Sequence, residues 1–140
     1  MAIKQLNSYL NFNGNAAKAI ELYERALGAK SENVMRFGDA QGMPVPADQK
    51  NRIMHALLRI GSGVLMVSDT RPDDPVTPGT NSHVVLDFDD EKEMDAKFDA
   101  LASGGKVNMP LQDTFWGAKF GMLTDAFGIN WMFNHEKRKG

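Results

Sequence analysis

Two stretches of the chain, each 24 residues long, carry the pattern that decides the fold. Residues 7–30 read NSYLNFNGNAAKAIELYERALGAK, and residues 83–106 read HVVLDFDDEKEMDAKFDALASGGK. They align without a gap at a spacing of 76 residues, which places Leu10 on Leu86, Phe12 on Phe88, Gly28 on Gly104 and Lys30 on Lys106. These identities fall on apolar strand positions and on a glycine after a helix, so they indicate a structural repeat.

Each stretch begins as a strand and continues as a helix. Residues 5–12 alternate between polar and apolar side chains, which predicts a half-buried strand, and residues 16–27 carry apolar side chains at helical spacing. Gly28 then stands where a left-handed helix cap belongs. In the second stretch, Asp90 and Glu93 predict a capping box at the start of the helix.

The same order of elements is predicted twice. After the first helix, strands are predicted over residues 32–37, 53–60 and 64–68. The second half begins with a predicted strand at 82–88. After the second helix, strands are predicted over residues 106–114, 120–123 and 129–134. This order predicts an α+β protein of two βαβββ modules in a single domain, residues 1–140. The first module spans about residues 3–70, a linker about 70–81 and the second module about 82–136. Because each sheet buries one face against its helix, we expect helices on the outer face and mixed sheets that curl into a cup.

Composition and charge exclude several kinds of partner. The formal net charge is −2, and the one basic cluster is Lys137, Arg138 and Lys139, so we expect a solvated terminus and no nucleic-acid partner. The longest apolar run, residues 64–67, is far too short to span a bilayer, and residues 1–10 lack the apolar segment of a signal peptide, so we expect no membrane contact. The absence of cysteine excludes disulfides and thiolate ligands and fits a cytoplasmic location.

Short motifs in both halves point to a known family. They are YLNFNGNAA at residues 9–17, AIELY at 19–23, LGA at 27–29, VLMVSD at 64–69, TFWG at 114–117, FG at 120–121, TD at 124–125, FG at 127–128 and Trp131. Together they resemble the PhnB-like branch of the glyoxalase/bleomycin-resistance, or vicinal oxygen chelate, superfamily over nearly the whole chain. The resemblance implies paired βαβββ modules and a homodimer.

The resemblance also implies two ways of working. Enzymes of the superfamily hold a divalent metal with His and Glu side chains from four strands, whereas other members bind organic molecules without a metal. Carried over to this chain, the ligand positions are Asn7, His83, Met132 and either Met66 or, with a slip of one residue, Val67. Of these four positions only His83 carries an imidazole, and a methionine thioether is a poor ligand for zinc, nickel or manganese. We therefore expect no metal and no cofactor.

Strand alternation predicts which side chains line the cup. The face away from each helix and a glycine-flanked aromatic pair form the predicted ligand-binding set: Asn7, Tyr9, Met66, His83, Asp87, Phe115, Trp116 and Met132. Trp131 falls on the helix-facing side with Phe133 and is predicted to be core. Gly117 and Gly121 are expected to loosen the backbone on both sides of the aromatic pair.

Several roles stay open at this point. His83 either acts as an acid, base or ligand-binding donor, or is simply satisfied by a neighbour. Trp116 either stacks on a ligand or packs against the other half or a partner subunit. His55 is predicted to face solvent or the helix, and His135 to lie on the surface.

The partly apolar lining favours a metal-free protein that binds a small organic molecule, including one that sequesters a toxic compound. The alternative is a lyase, isomerase or dioxygenase of the metal-dependent type, for which His83 is the only support. A dimer without a ligand is a third possibility, if Trp116 fills the cup. Proteins of this branch are often labelled methyltransferases of the ubiquinone pathway, but this chain shows no strand followed by a glycine-rich cofactor loop.

Overall fold

The computed structural model describes residues 2–40, 42 and 44–137. The chain divides into two compact units between Thr77 and Pro78, which lie inside the predicted linker. We call residues 1–77 module one and residues 78–140 module two. Each is a βαβββ unit, so the predicted α+β fold of two such modules is confirmed.

Module one is a four-stranded sheet with one helix. Its main elements are β1 (Ser8–Phe12), α1 (Ala16–Leu27), β2 (Lys30–Arg36), β3 (Ile53–Ile60) and β4 (Gly63–Asp69). Single turns of 3-10 helix lie at Phe37–Asp39 and Ala47–Gln49. The strand order is β1-β4-β3-β2, with β1 parallel to β4 and the other pairs antiparallel. The core is made by apolar side chains of α1 and the sheet: Phe12, Ile20, Leu22, Tyr23, Leu27, Ile53, Leu58, Leu65 and Val67.

The two ends of α1 are stabilised differently. At its C-terminus Gly28 has φ +72°, the left-handed cap that its position predicted. At its N-terminus Asn15 forms no side-chain capping bond. Instead Asp69, at the end of β4, accepts hydrogen bonds from the backbone N–H groups of Gly14 at 2.8 Å and Ala16 at 2.9 Å. A buried carboxylate distant in sequence therefore satisfies donors that the helix itself leaves open.

Module two repeats this arrangement. Its elements are β5 (Val84–Phe88), α2 (Glu91–Ala102), β6 (Lys106–Asp113), β7 (Ala118–Thr124) and β8 (Asn130–Glu136), in the strand order β5-β8-β7-β6. Asp90 caps α2 by accepting hydrogen bonds from the N–H groups of Lys92 and Glu93, which is one half of the predicted capping box. The Glu93 carboxylate lies 2.9 Å from Lys97 Nζ. The ring of Phe98 on α2 meets Phe133 on β8 edge to face at 5.1 Å. This contact places α2 on the Trp131–Phe133 side of the sheet, also as predicted.

Two strand boundaries differ from the predictions in ways that matter for the site. β1 is an edge strand with β4 as its one neighbour, and its pairing begins at Ser8, opposite Leu65, and not at residue 5. β8 extends to Glu136, so the prediction of a surface His135 is wrong. The His135 ring is half-buried, with Nδ1 2.9 Å from the backbone oxygen of Phe88.

The predicted basic tail is only partly described. Arg138 and Lys139 lie outside the described residues. Lys137 is held in place, since its backbone N–H donates to Gly117 O at 3.0 Å and its Nζ lies 2.7 Å from Asp113 Oδ1. This part of the predicted solvated terminus is therefore anchored to β6 and to the turn before β7.

Gly121 does not loosen the backbone, so that prediction is wrong. It is buried inside β7, where an added Cβ would lie 2.8 Å from Leu111 Cδ2 and 3.1 Å from Met109 O. Glycine is required there because β6 approaches β7 closely at a register shift between Met109 and Gln112. Gly117, by contrast, has φ +85° and lies in the turn between β6 and β7, a conformation that glycine adopts without strain.

Side-chain hydrogen bonds hold the predicted linker on either side of the boundary between residues 77 and 78. In module one the Asn13 side chain accepts a hydrogen bond from Val76 N and donates one to Val76 O, both at 2.9 Å. In module two Asn130 Nδ2 donates to Gly79 O at 2.7 Å and to Ser82 O at 3.1 Å. Among the described residues, no helix has the length and apolar character needed to cross a membrane.

Candidate functional site

Each sheet has one face towards its helix and one away from it, and we call the second the open face. In module one the register places Tyr9 beside Met66 and Met66 beside Leu57, so β1, β4 and β3 form one row. Tyr9 is 45% exposed, and the other two side chains are half-buried. Val67, the other position considered for a metal ligand, is fully buried on the opposite side of β4.

His55 joins Tyr9 on this open face, a pairing that the sequence pattern does not predict. The Tyr9 hydroxyl lies 3.4 Å from His55 Nδ1, and the ring centroids are 6.0 Å apart. His55 is half-buried and lies opposite Met35 of β2. The face therefore combines two polar groups with the apolar side chains of Met66 and Leu57.

Asn7 was predicted to lie on the first strand, but it precedes β1 and is exposed. Its Oδ1 accepts a hydrogen bond from Gln5 Nε2 at 2.7 Å. The alternation that placed Asn7 on the open face holds only within a paired strand, and pairing begins at the next residue, Ser8. The row from Tyr9 to Leu57 is thus the better-defined part of this face.

The open face of module two is more apolar. The register places Val85 beside Met132 and Met132 beside Met122, the same geometry as the row in module one. Val85 is 52% exposed, while both methionines are half-buried. Methionine side chains are flexible and polarisable, so this surface can adapt to ligands of different shape.

Two polar side chains border this apolar row. Asp87 Oδ1 accepts a hydrogen bond from Asn134 Nδ2 at 3.0 Å, and both side chains face the same way as Met132. His83 is half-buried and lies one residue before β5, so by alternation it shares the face of Val85. The predicted set His83, Asp87 and Met132 is therefore brought to one sheet face.

The predicted aromatic pair lies at the turn between β6 and β7. Thr114 closes the turn, because its N–H donates to Ala118 O at 2.8 Å. Phe115 is 97% exposed and Trp116 is 56% exposed, and their rings meet edge to face at 5.0 Å. The ring of Trp116 also lies 6.1 Å from that of Phe120, which is on the open face. Trp116 thus extends the apolar surface of module two beyond the sheet.

The residues at the four superfamily ligand positions do not fit a transition metal. Met66 and Met132 offer thioethers, Asn7 offers an amide outside the strand, and His83 alone offers an imidazole. Among the described residues, no three His, Asp or Glu side chains lie close enough together to hold a metal ion.

Asp113, an acidic residue near the aromatic turn, is occupied by an ion pair. Lys137 Nζ lies 2.7 Å from Asp113 Oδ1 and 3.6 Å from Glu91 Oε1. The hydrogen bond from Lys137 holds the pKa of Asp113 below its ordinary value, and the same bond raises the pKa of Lys137. This pair ties the end of β6 to the residue after β8.

Comparison with known proteins agrees with this architecture. The model of the Glyoxalase/Bleomycin resistance protein/Dioxygenase superfamily matches residues 5–133. The chain therefore belongs to this superfamily, as its motifs predicted, and its two βαβββ modules are the fold that the superfamily shares.

Three similar proteins match nearly the whole chain. Protein YjdN of Escherichia coli (strain K12) is 36% identical over 146 residues, covering 96% of this chain and 97% of that protein. The crystal structure of protein PA1353 from Pseudomonas aeruginosa has a TM-score of 0.85 at 45% identity, covering 97% of this chain and 100% of that one. A putative 3-demethylubiquinone-9 3-methyltransferase, PhnB protein, from Bacillus cereus has a TM-score of 0.71 at 24% identity, covering 94% and 99% of the two chains. At that identity the likeness shows the fold alone.

Proposed function

We propose that this chain is a cytoplasmic protein that binds a small, weakly polar organic molecule on an open sheet face, without a metal. The observation that carries the proposal is the apolar, partly exposed row of module two, Val85, Met132 and Met122. Phe120 and Trp116 continue this apolar surface towards the β6–β7 turn. Small-molecule sites usually consist of apolar walls with a few placed polar groups. His83 and Asp87 supply such groups at the border of the row.

The experiment that tests this proposal most directly is a search for a co-purified molecule. Native mass spectrometry of the protein, followed by denaturation and small-molecule analysis, is expected to find a non-covalent organic ligand. If none is found, binding of the planar probe 2-methylnaphthalene should be measured by ligand-observed NMR. A protein that carries no ligand and does not bind the probe would contradict the proposal.

Trp116→Ala is expected to weaken the binding of a planar ligand by about 1–3 kcal/mol, because an aromatic stacking partner is lost. The fold should persist, since Trp116 is 56% exposed and lies in a turn. The binding of 2-methylnaphthalene and the thermal unfolding midpoint measure the two effects separately. Trp116→Phe keeps a stacking ring and should recover most of the affinity. Unfolding of Trp116→Ala would instead assign this side chain to the core.

Protein purified without added metal is expected to contain no stoichiometric transition metal. The reason is the donor set at the superfamily positions: Asn7, Met66, His83 and Met132. Elemental analysis by inductively coupled plasma mass spectrometry measures the content. About one zinc, nickel, iron or manganese per chain, lost in His83→Ala, would overturn this prediction and favour the metal-dependent enzyme.

The protein is expected to be a homodimer, as its superfamily resemblance implies. Both four-stranded sheets end in edge strands, β1 and β2 in module one and β5 and β6 in module two. Edge strands expose unpaired backbone groups, and a second copy of the chain is one way to cover them. Analytical ultracentrifugation at micromolar concentration measures the mass in solution, and a monomer there would refute the expectation.

A further inference from the structure

We propose that Tyr9 and His55 form a polar anchor on the open face of module one that binds the hydroxyl or carbonyl oxygen of an uncharged aromatic ligand. The inference rests on the proposed small-molecule binding, extends it to the open face of module one, and assigns a ligand class to that face. His55 lies outside the ligand positions that the superfamily implies, and its place beside Tyr9 emerges from the strand register.

The two side chains come from strands that flank β4. Tyr9 on β1 lies beside Met66, and Met66 lies beside Leu57 on β3, two residues after His55. The Tyr9 hydroxyl and His55 Nδ1 approach to 3.4 Å across this row. The polar atoms therefore stand together above an apolar floor, with Tyr9 45% exposed.

The chemistry of the pair suits a single oxygen of a ligand. If the tyrosine hydroxyl donates to Nδ1, the imidazole carries its proton on Nε2; if Nδ1 is protonated and donates to tyrosine, the hydroxyl is free to donate elsewhere. In both tautomers the pair retains a donor for a third group. At 3.4 Å the mutual contact is at the long end of hydrogen-bond distances, so a ligand oxygen can replace it at little cost.

The internal repeat shows that the fold does not require this pair. The row Tyr9, Met66 and Leu57 in module one matches Val85, Met132 and Met122 in module two. His55 comes two residues before Leu57, and the residue two before Met122 is Phe120. Module two thus carries valine and phenylalanine where module one carries tyrosine and histidine. The same backbone is built without the polar groups, so a role beyond folding is indicated for them.

The charged neighbours favour an uncharged ligand. Glu32 lies opposite Leu57 on β2, and its carboxylate is paired with the guanidinium of Arg59. The opposite charges of this pair cancel, so the pair adds no net charge to the open face. A ligand with an apolar ring and one oxygen matches both the floor and the anchor.

The test compares two probes of similar shape, 2-naphthol and 2-methylnaphthalene, in which a hydroxyl replaces a methyl group. Dissociation constants are measured by ligand-observed NMR for the wild-type protein and for Tyr9→Phe, His55→Phe and the double variant. We expect the wild-type protein to prefer 2-naphthol and Tyr9→Phe to reduce that preference about threefold to tenfold, the usual range for one hydrogen bond. In the double variant the second substitution should reduce the preference for 2-naphthol little further, because both groups bind the same ligand oxygen.

His55→Phe and Tyr9→Val serve as matched folding controls, since they install the residues that module two carries at the same register. Circular dichroism and thermal unfolding should show a native fold for both.

The inference is overturned if the wild-type protein binds 2-naphthol no better than 2-methylnaphthalene, or if Tyr9→Phe and His55→Phe leave the preference unchanged. If probe binding is weakened by Trp116→Ala and not by Tyr9→Phe or His55→Phe, the proposed anchor is wrong while the proposed function stands. If neither probe binds, the anchor is wrong, and the search for a co-purified molecule decides the proposed function separately.

Discussion

Replacing Trp131 by alanine is expected to lower the free energy of unfolding by about 3–5 kcal/mol, the usual cost of truncating a buried aromatic side chain. Trp131 is 0% exposed and lies in β8 between β5 and β7. Its Nε1 also donates to Asp125 Oδ2 at 2.9 Å, so truncation removes a donor from a buried carboxylate. Both the cavity and the lost hydrogen bond lower the free energy of unfolding.

Denaturant unfolding followed by circular dichroism measures the loss, and two variants calibrate it. Trp131→Phe keeps most of the ring and should cost clearly less than alanine, which separates the cavity from the hydrogen bond. Trp116→Ala removes the same side chain from an exposed turn and should leave stability close to that of the wild-type protein. A small loss for Trp131→Ala together with a large one for Trp116→Ala would mean that the core and the ligand-facing side had been exchanged.

Asp69→Ala is expected to have an effect of similar size, about 2–6 kcal/mol, because two of its three donors are buried and a buried donor left without an acceptor costs about 1–3 kcal/mol. Its carboxylate accepts from the N–H groups of Gly14, Ala16 and Ile53, at 2.8, 2.9 and 2.8 Å. These three donors belong to the turn before α1, to the start of α1 and to β3. One side chain therefore joins three segments of module one, and its removal should loosen all of them.

The control for Asp69 is Asp73, an exposed aspartate a few residues further along the chain. Asp73→Ala should leave stability nearly unchanged, because its ion pair with Arg71 lies in solvent. Asp69→Asn keeps one acceptor oxygen and should fall between the alanine variant and the wild-type protein. If Asp69→Ala unfolds at the same denaturant concentration as Asp73→Ala, the carboxylate does not hold α1 in place.

The repeat was the part of the fold that sequence could predict. Gly28 and Gly104 were aligned on sequence alone, and they have φ angles of +72° and +78°. β2 and β6 then begin at Lys30 and Lys106, the next aligned pair. Turn and helix-cap chemistry is local, so residues that are neighbours in sequence carry it, and the order of elements follows.

The candidate site could be predicted only in part. Alternation placed Met66, Met132 and Trp131 on the correct faces, because side chains in a strand point alternately to its two sides. It left His55 undecided, since β3 does not alternate cleanly: Ile53 and Ala56 are both buried, three residues apart. The irregular pairing between β2 and β3 near Met35 accounts for this break.

The sequence by itself determined the two βαβββ modules, the helix caps at Gly28 and Asp90, and the apolar character of each sheet. These depend on residues within a few positions of one another, where propensity and hydrogen-bonding geometry act directly. Only the tertiary structure decided that Asp69 caps α1 from 53 residues away and that Tyr9 meets His55 across 46 residues. Such contacts depend on strand order and register, which are set by how whole strands pack and which no short stretch of sequence contains.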